Sequence, residues 1–65
     1  MKYFYDANDE RSKAYKDRVT VIQYAKNRSQ TKPFKDVPFV VKNDDFEVEC
    51  IVLNGMTFWP SPVER

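Results

Sequence analysis

Few residues in this chain could do chemistry. Its 65 residues include no histidine, so the commonest general base and the commonest metal ligand are both missing. A lone cysteine, Cys50, cannot close an internal disulfide, and a zinc site needs several Cys or His ligands. Set among apolar neighbours, it reads as a small buried hydrophobe. Gly55 is the only glycine and belongs to an Asn-Gly turn, so no glycine-rich loop exists to cradle a phosphate. Asp44, Asp45, Glu47 and Glu49 lie close together, and two of them share a strand face. That pattern suits a weak divalent-cation site less well than it suits a solvated turn and strand face. No Ser, Lys or Tyr stands beside a recognisable base. The expectation is therefore a non-enzymatic chain with no catalytic residues, no metal and no cofactor.

Two sets of residues could instead bind a partner. Ile51, Leu53, Met56, Phe58 and Trp59 exceed what one open face of a small sheet needs for cover, and aromatic residues with Met are enriched at interface cores. They form the protein-binding candidate. The alternative is a nucleic-acid site in a basic segment, with Lys26, Arg28, Lys32 and Lys35 facing phosphates and Tyr24 and Phe34 as stacking platforms. Protein binding ranks ahead, because a whole-chain charge of +1 gives little of the attraction that dominates nucleic-acid binding. Small, soluble chains of this kind fit a regulator or inhibitor docking on a larger protein, a phage-encoded one among them. A homodimer through the same apolar face is a further option.

The elements that must position these residues centre on 37–59. Val37-Pro38-Phe39-Val40-Val41 and Phe46-Glu47-Val48-Glu49-Cys50-Ile51-Val52-Leu53 alternate as strands do. A two-residue Asn43-Asp44 turn would pair Val41 with Phe46, Phe39 with Val48 and Val37 with Cys50, gathering all six on one face. Asn54-Gly55 is a strong hairpin signal, setting Leu53 opposite Met56, Ile51 opposite Phe58 and Cys50 opposite Trp59. The run Cys50-Ile51-Val52-Leu53 is apolar on both faces and needs cover on both sides. Either the N-terminal half or a partner must supply it.

Upstream, residues 1–6 suit an opening strand with Tyr3 and Tyr5 on one face and Phe4 on the other. Residues 8–13 read as a charged loop, with a short helix near 9–16 as an option. Residues 17–24 are ambiguous: Tyr15, Val19, Ile22 and Ala25 fit a helical stripe, but four consecutive β-branched residues from Val19 to Ile22 favour a strand. The preferred reading is all-β: five strands in a small barrel or strongly bent antiparallel sheet, with a ten-residue basic loop over 26–35. The alternative is α+β, one helix over 9–26 packed on a three-stranded sheet. Pro60 and Pro62 end the last strand near Trp59.

The five-strand reading resembles the SH3-like small β-barrels at the level of the fold. Tyr5-Asp6-Ala7 is similar to the Ala-Leu-Tyr-Asp-Tyr opening of signalling SH3 domains. The paired tryptophans and the Pro-Ser-Asn-Tyr close of those domains are absent, and relatives of KOW or Tudor type match equally well.

Size and charge complete the picture. A single domain of 65 residues buries only about 60% of its unfolded surface and is marginally stable. With no apolar segment behind Met1-Lys2 and no long apolar run, the expectation is a cytoplasmic protein without a membrane span. Asn27-Arg28-Ser29 fits the glycosylation pattern but reads as a polar turn in that setting. Residues 1–36 hold nine Lys/Arg against five Asp/Glu, a balance of +4, and residues 37–65 hold two against five, a balance of −3.

Overall fold

The computed structural model describes residues 2–59. It contains β1 (Tyr3–Ala7), β2 (Glu10–Arg11), α1 (Arg18–Ser29), β3 (Phe39–Asn43), β4 (Val48–Leu53) and β5 (Met56–Trp59). The five strands form one antiparallel sheet in the order β2-β1-β3-β4-β5. The sheet stays open, with β2 and β5 as its edges, so the barrel expectation is corrected to an open sheet carrying one helix. Pro60 and Pro62, expected to lead the tail away from the sheet, lie outside the described residues.

The helix is the largest departure from the sequence reading. Residues 18–29 are helical rather than a strand over 17–24, and the alternative helix over 9–26 begins nine residues too early. Four β-branched residues in a row cost a helix roughly 0.5 kcal/mol each relative to alanine. Complete burial of Val21, at 0% exposure, returns about 1.5–3 kcal/mol by itself. Ala25 and Ser29, four and eight residues on, are buried with it. Those three define the packed stripe, and Val19, which the helical reading placed inward, stands exposed.

No helix forms over 9–16. Asn8 and Asp9 both take left-handed backbone, φ 54° and 66°, which is the two-residue turn that closes a tight hairpin. The turn sets Ala7 opposite Glu10 and Asp6 opposite Arg11. Tyr15 then returns to pair with Tyr3 through reciprocal backbone hydrogen bonds of 2.8 and 2.7 Å.

α1 packs against β1, β3 and β4. Under it lie Phe39, Val41, Cys50 and Val52, all essentially inaccessible, with Tyr3 and Tyr5 partly buried beside them. The N-terminal half thus covers the Cys50 and Val52 face, leaving Ile51 and Leu53 on the other side. Arg18 reaches from the start of the helix to Glu49 at 3.2 Å, so the basic and acidic halves are joined across this packing.

Both expected registers need correction. β3 pairs Phe39 with Val52, Val40 with Ile51 and Val41 with Cys50, and a bulge follows that sets Lys42 opposite Val48. The cause is Asn43, which is buried rather than part of a two-residue turn. Its side-chain Oδ1 accepts the backbone N–H groups of Asp45 and Glu47 at 2.8 and 3.0 Å. The loop closes over Asp44, Asp45 and Phe46, and Phe46 takes φ 64° in the place where such loops usually carry glycine. Phe46 is thereby turned to the outer face, edge-on to Phe4 at 5.7 Å. In the second hairpin Leu53 does face Met56, but a bulge sets Ile51 opposite Trp59 and Val52 opposite Thr57. Phe58 is the residue displaced.

The Asn54-Gly55 turn forms as expected and is also docked. Gly55 N–H donates to the buried Ser29 hydroxyl at 2.7 Å, and the Asn54 amide exchanges hydrogen bonds with the backbone N–H and carboxylate of Asp36 at 2.8 and 2.9 Å. With φ at +82°, Gly55 holds a backbone that a side chain would strain. The turn therefore ties the end of α1 and the following loop to the far end of the sheet.

Candidate interaction face and cleft

Strand alternation and the observed register place Phe4, Asp6, Val40, Lys42, Ile51 and Trp59 on the face opposite α1, with Leu53 and Met56 continuing it. No described helix covers this face, although Arg11 and Phe46 bury Phe4 at its β1 end. Its β1 side is polar. Arg11 Nε donates to Asp6 Oδ1 at 2.9 Å and Lys42 Nζ lies 3.2 Å from Asp6 Oδ2. The Arg11 guanidinium also sits over the rings of Phe4 and Phe46, at 4.5 and 5.4 Å from their centroids.

The hydrogen bond from Arg11, reinforced by Lys42, holds the Asp6 carboxyl below its usual range against a smaller opposing effect of burial. A folded-state pKa below the unfolded one stabilises the fold above the unfolded value of about 3.9 and is lost as pH falls through the folded one. The urea midpoint of the wild type is thus expected to fall on acidification below about pH 4. Asp6→Asn should remove that contribution and flatten this part of the profile. An identical profile for the variant would show that the Asp6 cluster contributes nothing.

The β5 side of the same face is apolar. Ile51 and Leu53 are half-buried, and Met56, Phe58 and Trp59 are 66%, 62% and 47% exposed. All five candidates for protein binding therefore lie on β4 and β5, next to the sheet edge. Sequence reasoning missed Val40, which extends the strip inward, and Phe46, whose ring joins the polar end. Phe46 gave no signal because a bulky residue in left-handed backbone is uncommon.

The nucleic-acid candidates divide between elements. Lys26 and Arg28 belong to the last turns of α1 rather than to a loop, and Lys32 and Lys35 are exposed in the connection to β3. Tyr24 is half-exposed with its ring 5.3 Å from that of Tyr15. Phe34 is tucked edge-on against Phe39 at 5.4 Å, with the Arg28 guanidinium 5.4 Å above its ring. The structure brings Arg28 and Phe34 together but not the six residues as one surface. A cleft of about 210 Å³ opens beside this pair, walled by Tyr5, Tyr15 and Phe34 with Lys13 and Arg28 on its rim. Tyr5, Tyr15 and Lys13 were not read as site residues, because they converge only through the β1 to β2 hairpin and the Tyr3–Tyr15 pairing.

Cys50 is buried under α1, and burial pushes its thiol above the usual range, against opposing effects of Thr57 and the Arg18 and Lys26 charges. It is a packed side chain whose thiolate form is disfavoured. Glu47 and Glu49 both accept from the Asn43 amide, at 3.1 and 3.0 Å. No family model, curated protein or solved structure matches the chain. Among the described residues no helix is long and apolar enough to cross a membrane.

Proposed function

We propose that this chain is a non-enzymatic protein-interaction module that docks on a larger protein by accepting an extended apolar segment alongside β5. The observation that carries this reading is the contrast between the two sheet edges. β2 is two residues long and charged, Glu10-Arg11, which suits an edge kept from pairing. β5 is Met56-Thr57-Phe58-Trp59, four residues without charge or proline, and it borders the exposed apolar strip.

A strand laid against β5 would satisfy the outward backbone groups of that edge and place alternate side chains over Met56 and Trp59. An uncharged edge offers no attraction to a charged ligand, so the partner segment is apolar where it pairs. A regulator or inhibitor of a larger protein fits this mode of attachment. The non-enzymatic reading rests on the lack of histidine and on Cys50 being buried.

Selection of decapeptides from a random display library against the full chain is the direct test. Enriched sequences should alternate apolar residues, slow hydrogen exchange of β5 amides, and lose binding by about tenfold or more with Phe58→Ala, the loss typical of an interface anchor. Phe58 is exposed, so the variant should keep its fold. Enriched peptides that protect other strands, or that bind Phe58→Ala equally well, would overturn the reading. Sedimentation of the chain alone tests whether a second copy occupies the same edge: a dimer abolished by Phe58→Lys identifies the chain itself as the partner.

A further inference from the structure

On the helix side of the sheet, away from β5, the cleft bounded by Tyr5, Tyr15 and Phe34 has a composition that the packing does not explain. Its walls are aromatic and its rim carries Arg28 and Lys13. Glu10 is the only carboxylate among the residues that line it. Among the described residues neither Arg28 nor Lys13 forms an ion pair, whereas Arg11, which also lines the cleft, is committed to Asp6. The guanidinium of Arg28 lies over Phe34 and the ammonium of Lys13 lies 5.5 Å from the Tyr15 ring centroid, so both charges are held at the mouth by aromatic faces. The Tyr5 backbone N–H donates to the Ser12 hydroxyl at 2.9 Å, which ties the strand to the segment that carries Lys13 and Tyr15.

Burial raises the Tyr5 hydroxyl above its usual range, and the nearby Arg28 charge opposes that shift. Tyr5 is therefore a neutral donor at physiological pH, within the electrostatic reach of Arg28. Tyr5, Tyr15, Phe34 and Arg28 thus line one space, in which aromatic rings stand beside a guanidinium.

We propose that this cleft binds a planar aromatic ring bearing a phosphate, that is, a single nucleotide unit, with the base against Tyr15 and Phe34 and the phosphate on Arg28 and Lys13. The volume suits a small unit: about 210 Å³ is below that of a drug-sized site, enough for one ring system with its substituents at the open side. Arginine forks match phosphate oxygens, and aromatic side chains stack any base without reading its edges. The unit comes either as a free mononucleotide or as one residue of a single strand.

The test is titration of the full chain with adenosine 5′-monophosphate, followed by amide and aromatic NMR shifts. Saturation at about millimolar ligand or below is expected, with shifts confined to Tyr5, Lys13, Tyr15, Arg28 and Phe34. Adenosine alone and inorganic phosphate alone should each bind about tenfold more weakly, since each keeps half the recognition. Arg28→Ala, at an exposed position, should weaken binding about tenfold with unchanged spectral dispersion. Lys13→Ala is the second variant and should act in the same direction. Failure to saturate by about 10 mM, shifts elsewhere, or unaltered affinity in both variants would overturn the site. A ten-residue oligothymidylate separates the sources: tighter and steeply salt-dependent binding assigns the site to a strand, and equal affinity per site assigns it to the free nucleotide.

Discussion

Phe39→Ala is expected to unfold the domain or bring it to the edge of unfolding. The ring is fully inaccessible, lies across from Val52, and touches Tyr5 and Phe34 at centroid distances of 5.2 and 5.4 Å. Truncating a buried phenylalanine costs about 3–5 kcal/mol through lost transfer energy and the cavity left behind. A chain of this length has a total stability of roughly 3–10 kcal/mol. The thermal midpoint should drop by about 15 °C or more, given roughly 4–8 °C per kcal/mol for a domain this small. Phe58→Ala removes a ring of the same size from an exposed position and should move the midpoint by about 3 °C at most. Circular dichroism melts of the two variants make the comparison. If Phe58→Ala unfolds the chain and Phe39→Ala does not, the helix covers the wrong face and the docking surface is core. Phe39 also forms the floor under Tyr5 and Phe34, so its removal should abolish nucleotide binding even at a temperature where the variant stays folded.

That contrast between two phenylalanines was only half legible in the sequence. Val37 to Trp59 announced its strands through alternation, and Asn54-Gly55 announced its turn, because both signals are local. The opening strand was legible for the same reason. Residues 18–29 were legible only as the second of two readings, since their strand propensity is local while the burial of Val21, Ala25 and Ser29 depends on a sheet built from residues far away in sequence. Asn8-Asp9 was a usable signal for the first hairpin, because both residues tolerate left-handed backbone, yet neither is glycine and the strand beyond is only two residues long.

The site follows the same division. Met56, Phe58 and Trp59 were identifiable because apolar residues in excess of one face have to go somewhere, and the structure leaves them exposed at an edge. The cleft was hidden, because Tyr5, Tyr15, Arg28 and Phe34 come from four separate segments with no spacing rule between them. Phe34 was read as an aromatic in a basic stretch, while Tyr15 was placed in an alternative helical stripe that begins only at Arg18.

Asn43 governs the remaining element, the alignment of β3 with β4, and its replacement should have the second large effect. Buried at 3% exposure, its amide accepts from two backbone N–H groups and donates to the carboxylates of Glu47 and Glu49. Asn43→Ala removes four hydrogen bonds at once and leaves the loop to be held by the strained backbone of Phe46. A loss of about 2–4 kcal/mol is expected, because two of the four bonds involve charged partners. Asn43→Asp keeps the acceptor oxygen but sets a third carboxylate about 3 Å from two others, where the amide nitrogen now stands. It should cost at least as much at neutral pH, and added salt should recover part of the loss by screening the repulsion. The register is the sharper readout. With the amide gone, the two-residue turn that would set Phe39 opposite Val48 competes with the observed pairing of Phe39 and Val52. Cross-strand proton contacts from Phe39 should divide between the two valines in Asn43→Ala while remaining with Val52 in the wild type. If both variants keep wild-type stability and the Val52 contacts alone, the alignment is set by burial of Phe39 and Val52 themselves, and Asn43 merely follows it.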